Sequence, residues 1–188
     1  MKTNQIKPQL LFALCFFVSA LCFSQEKYID SNGTIVFEAS EELFEEVKAT
    51  NTSATAIYNI KTNEIAALAL MKGFRFKNSL MEEHFNENYI ESDTYPKAIF
   101  KGKLIDFNPQ TDLSKNPTPI KVKGVLELHG KQKDLEILLT IQKVNNTISL
   151  TGTFSVTPAD FDIEIPKVVS NKIAKVVNIN IDFKLVKK

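Results

Sequence analysis

The sequence predicts an all-β protein, an antiparallel barrel of eight or so strands with one or two short helices. Three observations predict it. Apolar and polar residues alternate with a period of two through segment after segment. Short polar corners such as Asn145-Asn146 separate those segments, and helical spacing is confined to two stretches. A meander this long tends to curl, and closing it removes its exposed edges. A two-sheet sandwich is the rival architecture. Gly102, Gly124 and Gly152 stand on the apolar parity inside strands, where they ease a bend or leave room, and this favours the barrel.

The elements follow in order. Ile35, Phe37 and Ala39 share one parity over residues 34–39, and Ala56, Tyr58 and Ile60 share one over 56–60. The corner Thr62-Asn63-Glu64 then predicts a hairpin into residues 65–77, with Leu68, Leu70, Phe74 and Phe76 on one face. Phe100 and Leu104 oppose Lys101 and Lys103. Ile120, Val122, Leu126 and Leu128 oppose Lys121, Lys123 and Glu127. Leu135, Ile137, Leu139 and Ile141 make the next strand, followed by Ile148, Leu150, Phe154 and Val156 against Thr and Ser. Val177, Ile179, Ile181, Phe183 and Leu185 make the last. Residues 40–47 combine a possible Ser40 N-cap with Leu43, Phe44 and Val47 at helical spacing and predict a short helix or turn. In residues 78–96, Leu80, Met81, Phe85, Tyr89 and Ile90 recur every three to four positions, which predicts one to three helical turns packed over the barrel.

The N-terminus predicts export. Lys2 and Lys7 precede an apolar run from Leu10 to Phe23, the length of a signal-peptide core and short for a bilayer span. Small residues Cys22 and Ser24 place the expected cleavage between Ser24 and Gln25, so residues 1–24 are read as a leader and 25–188 as one domain, periplasmic or secreted. Lipid attachment at Cys22 is the alternative, and Leu21 stands where that reaction wants a small residue. Both cysteines lie in the leader, which excludes disulfides and Cys-based metal sites from residues 25–188. Removing Lys2 and Lys7 from 23 basic residues leaves 21 against 22 acidic ones, a net charge of −1. With no dense Lys/Arg stripe either, the chain lacks the field that holds a polyanion, and nucleic acid is excluded as a general partner. Lys167, Lys172 and Lys175 are read as an ordinary solvated face, with a local basic rim suited to peripheral contact with a membrane surface as the alternative.

Residues 79–104, SLMEEHFNENYIESDTYPKAIFKGKL, resemble the signature region of the YceI-like family of lipid- and polyisoprenoid-binding proteins. In that family a helical segment carrying a His runs into a Tyr-Pro turn and a strand with Phe; His84, Tyr95, Pro96 and Phe100 stand at matching places. Residues 121–141 resemble its glycine-turn hairpin, and FSVTPADFDIEIP, residues 154–166, its late strand and Asp-Phe turn. The first strands depart from the pattern: no Lys-His pair stands there, and Asn51 to Ala56 is polar. The resemblance implies a lipocalin-like barrel that holds an apolar lipid, an isoprenoid or quinone, and performs no chemistry on it. On that reading the residues lining the interior are Phe74, Phe76, Phe100, Leu104, Leu126, Leu128, Phe154 and Val156, with Leu80, Met81, His84 and Phe85 near a mouth. An apolar strand face is equally the signature of a solid core, and a filled barrel acting through its surface as an envelope protein-interaction module is the alternative.

No Gly-x-Ser-x-Gly elbow, P-loop or GxGxxG occurs. His84 and Glu87 share a helical face, but two potential ligands do not make a metal site, and His129 stands in a turn before Gly130. No catalytic residue, metal or cofactor is expected. An enzyme built around His84 would need at least two carboxylates converging on it.

Overall fold

A computed structural model describes residues 27–41, 44–108 and 111–188. The expected leader of residues 1–24 and the expected Ser24-Gln25 junction lie outside them, as does Leu43. Nine strands occur among the described residues: β1 (Lys27–Ser40), β2 (Lys48–Asn59), β3 (Glu64–Leu70), β4 (Arg75–Phe76), β5 (Lys97–Ile105), β6 (Thr118–Leu128), β7 (Lys131–Val144), β8 (Thr147–Val156) and β9 (Ile173–Lys187). One α-helix, α1 (Ser79–His84), runs directly into a π-helical turn over Phe85–Tyr89.

Every pairing is antiparallel, in the order β1-β9-β8-β7-β6-β5-β3-β2. Because β1 also pairs β2, from Lys27↔Asn59 to Glu38↔Lys48, the ribbon closes on itself and the sandwich alternative is excluded. The result is an eight-stranded barrel with β4 as a two-residue addition on β2. Closure gives each of the eight wall strands a partner on both sides over part of its length, the β7–β8 ladder covering only Thr140–Val144 and Thr147–Thr151.

The alternation of β5 to β9 is realised as read: Leu104, Ile120, Val122, Ile137, Leu139, Ile141, Ile148, Leu150, Ile181, Phe183 and Leu185 are all buried, while Lys101, Lys103, Lys121 and Lys123 are exposed. In β3 the parity is the reverse of that predicted. Ile65 and Ala69 point inward and Leu70 is exposed, because a 3-10 turn at Met71–Gly73 breaks the strand before Phe74 and resets the phase. The helix expected over residues 40–47 is also corrected. Ser40 ends β1, its Oγ accepting from the Val47 N–H at 3.1 Å, and the described residues of the connection form no helix.

The barrel has one solid end. Tyr28, Tyr58, Leu104, Ile120, Val122, Ile141, Ile148, Phe183 and Leu185 fill it, and Leu113 from the β5–β6 connection packs beneath them. Asn63 ties this base together. It sits in the left-handed region (φ 59°), accepts from the Tyr58 hydroxyl at 3.2 Å and donates to the Phe107 carbonyl at 3.0 Å. Higher up, fully buried Asn51 accepts from the Ser53 N–H (2.8 Å) and donates to the Leu70 carbonyl (3.0 Å), so the polar stretch of β2 carries its partners with it.

The interior glycines are seats for large side chains. Gly102 and Gly124 are register partners, and the Phe100 ring lies over both: a Cβ on either would come within 2.8 Å of that ring. Phe183 lies against Gly33 and Leu139 against Gly152 in the same way. A Cβ at Gly124 would also fall 2.4 Å from the Lys101 carbonyl oxygen, which is backbone and cannot rotate away. Gly124→Ala is therefore expected to cost about 2–4 kcal/mol. Lys123→Ala, on the wet face of the same strand, should stay within about 0.5 kcal/mol. Urea midpoints check both.

Burial pushes the Tyr58 hydroxyl up to about 12. Above pH 10 the unfolded chain releases this proton while the folded chain keeps it. Stability should therefore fall as pH rises from about 10 to about 12, by up to about 3 kcal/mol from this group. Urea unfolding near pH 9 and near pH 11.5 should show a smaller alkaline loss in Tyr58→Phe than in the parent. An identical loss in both would show that Tyr58 ionises freely inside the barrel.

Candidate functional site: an apolar cavity in the open end

Above the solid base the barrel is hollow. A cavity of about 490 Å³ occupies the end defined by the C-terminal halves of β1, β3, β6 and β8 and the N-terminal halves of β5, β7 and β9. Its floor is the upper surface of the packed base: Phe183, Ile181, Leu150, Leu139 and Ile137. The space exists because of small side chains. Ala67, Ala69 and Ala98 line the β3–β5 wall, with Ala69 and Ala98 register partners and Ala67 opposite Phe100.

One wall is aromatic. Phe37 of β1, Phe74, Phe76 of β4 and Phe85 of the π-helical turn form a cluster with ring centroids 5.2 to 6.0 Å apart. This cluster fastens the α1 segment across the cavity as a roof. Asn78 caps α1, accepting from the Leu80 and Met81 N–H groups (2.9 and 3.4 Å) and donating to Glu45 of the β1–β2 connection (3.2 Å). Glu82 reaches back to the Arg75 guanidinium (2.5 Å) and the Phe76 N–H (3.1 Å), clamping the helix to β4. The π-helical turn adds a residue to the helix before Tyr89 and Ile90, both of which line the cavity.

The opposite wall is a flap of residues 157–173 following β8. Its first part is anchored at the β6–β7 hairpin. The His129 ring packs edge-on against Tyr95 (4.3 Å), and its Nδ1 donates to the Phe161 carbonyl at 2.9 Å. The Nε2 faces Glu91 at 3.8 Å. Lys131 pairs with Asp162 (2.6 Å), holding that carboxyl below the usual carboxylate range, and Lys133 with Asp160 (3.2 Å). Both pairs are solvent-exposed and position the flap more than they stabilise it. Phe161, Ile163, Ile165, Val169 and Ile173 then turn into the cavity.

Ten of the twelve residues expected around an interior site line this cavity: Phe74, Phe76, Met81, His84, Phe85, Phe100, Leu126, Leu128, Phe154 and Val156. Two do not. Leu104 is buried in the solid base, two inward positions beyond Phe100. Leu80 is 54% exposed, because Asn78 starts the helix in a phase that turns Met81 and Phe85 inward and Leu80 outward. Sequence reasoning missed Phe37, the three alanines and the flap. Phe37 had the right parity. The alanines carry no hydrophobic weight in an alternation count, and the flap has no period to read.

The lining is apolar apart from Glu45, His84, Tyr89 and Lys172. Of these, Glu45, His84 and Lys172 are exposed, so the charged groups sit at the rim and the depth is dry. Among the described residues no three His, Cys, Asp or Glu side chains converge to hold a metal, and no helix is long and apolar enough to cross a membrane. An apolar chamber of this size offers water few partners and is suited to an apolar occupant.

Comparison with known proteins places this geometry. No curated protein matches the sequence. Among solved structures, a polyisoprenoid-binding domain from Saccharophagus degradans, implicated in plant cell wall breakdown, is 15% identical with a TM-score of 0.75, covering 86% of this chain and 98% of that one. BcnA from Burkholderia cenocepacia is 14% identical with a TM-score of 0.66 (82% and 96% covered). The Campylobacter jejuni YceI protein is 14% identical with a TM-score of 0.58 (77% and 86%). These likenesses establish the shared barrel fold. The family described as the YceI-like domain matches residues 28–185, from the first strand to the last, and the chain belongs to that family.

Proposed function

We propose that the protein is an exported, non-enzymatic binder of a long apolar lipid of the isoprenoid or quinone type, held in the open half of the barrel. The observation that carries this reading is the cavity itself: about 490 Å³, walled by phenyl, alkyl and methyl groups, with its charged residues at the rim. Each CH₂ moved out of water into such a chamber contributes about 0.8 kcal/mol. A chain of about ten carbons therefore offsets much of the entropic cost of association without a polar contact. A polar head, if the lipid has one, stays at the rim near His84 and Lys172. The name of the Saccharophagus domain supports the ligand class, and the apolar leader of residues 1–24 supports export.

The full chain, produced in a bacterium and recovered from the periplasm, tests this by native mass spectrometry followed by solvent extraction. The expected result is a polypeptide beginning at Gln25 with a stoichiometric mass excess that extraction removes. No excess, together with no uptake of added quinone or polyprenyl lipid, would overturn the reading in favour of a barrel acting through its surface.

Filling the chamber gives a second test. Ala67→Phe and Ala98→Phe each place a ring in the cavity from the alanine wall. Either should reduce lipid uptake at least tenfold while far-UV circular dichroism and cooperative unfolding persist. Unchanged uptake in both would place the lipid elsewhere.

A further inference from the structure

The two lips of the cavity mouth carry opposite charge. The lip formed by the β1–β2 connection and α1 displays Glu41, Glu45, Glu46 and Glu83 to solvent. The other lip, residues 165–176, contains no acidic residue, and its lysines Lys167, Lys172 and Lys175 are exposed and form no ion pair among the described residues. Between and beside those lysines stand Val168, 83% exposed, and Val176, 48% exposed. Val168 is followed at once by Val169, whose side chain lines the cavity, as does Lys172. An apolar path thus runs from an exposed valine over the rim into the chamber, flanked by unpaired cations.

We propose that the 165–176 lip is a docking edge for an anionic bilayer surface, on which the barrel sits tilted, basic lip down and acidic lip held off. The proposal rests on the lipid-binding reading and names how the site meets its source. Charge complementarity selects the occupant: three exposed lysines that form no ion pair among the described residues, with Glu164 the one unpaired acid beside them in sequence, suit anionic headgroups, and Val168 suits the interface between headgroup and acyl chain. The same charge asymmetry fixes orientation, since an anionic surface attracts one lip and repels the other. Docked this way, the mouth opens at the membrane, and an apolar chain passes along Val168 and Val169 without crossing open water.

Sedimentation of the mature protein with vesicles of phosphatidylcholine, with and without phosphatidylglycerol, tests this. Binding should require phosphatidylglycerol and weaken as salt is raised. Each lysine at an anionic surface is worth about fivefold in partitioning. The double variant Lys167→Glu/Lys175→Glu should therefore bind at least about twentyfold more weakly, and Val168→Asp should weaken binding on its own. Lys167 and Lys175 do not line the cavity, so the double variant should unfold like the parent and take up quinone from detergent as well as it does. Equal vesicle binding by parent and variants, or no binding by the parent, would overturn the proposal. Failure of the lipid-binding reading would show differently, as no uptake of quinone from detergent by the parent.

Discussion

The structure depends on the pairing of β1 with β2. Without it the nine strands are an open sheet with an apolar face and two hungry edges. With it, every inward residue faces a shared interior of fixed cross-section. That cross-section is too wide for one size of side chain to fill evenly. The protein solves this differently at its two ends. At the base, tyrosines and branched aliphatics meet across the axis, and Phe183 settles against Gly33. Above it, alanines on β3 and β5 stop short, and the axis stays empty.

Glycine seats hold the larger side chains against the wall at both levels. Phe100 lies flat on the Gly102–Gly124 step, and Leu139 on Gly152, so rings and branched chains lie close to the wall where a longer rotamer would have crossed the chamber. The floor is therefore rigid and hydrophobic. Around the mouth the logic changes. The roof and flap are held by a handful of discrete contacts, among them Glu82 to β4 and His129 to the Phe161 carbonyl, in place of continuous ladders. Elements held that way open at lower cost than the wall beneath them.

How much of this was legible in the sequence follows from which residues carry the signal. In β5 to β9 a lysine, threonine or asparagine faces water at nearly every second position, so parity could be read off directly and the inward faces came out right. In β3 the outward parity holds Ala66, half-buried Leu68 and exposed Leu70, and alanines stand on both sides, so hydrophobicity no longer distinguishes in from out and parity cannot be read there. The 3-10 turn at Met71–Gly73 hid the phase change. Ser40 looked like a helix cap, but its hydroxyl serves the Val47 N–H across a strand end, a contact that depends on β1–β2 pairing and has no local signature. Leu104 was placed in the site because alternation gives the direction of a side chain and not its depth along the axis. The cavity was hidden for the same reason: its cause is the size of Ala67, Ala69 and Ala98, and only closure brings them around one chamber with the phenyl cluster.

The separation of a packed base from a hollow upper half also bears on how such a barrel changes over generations. The side chains that fill the base, Phe183 apart, do not line the chamber, and the residues that shape the chamber belong largely to other positions on the same strands. Exchanging an alanine for a serine or a valine on the upper β3–β5 wall alters volume and polarity where there is already empty space to absorb it. Specificity can drift through neutral steps while the base holds the fold. A lineage built on this plan can diverge to low sequence identity and to many cargoes without rebuilding its scaffold.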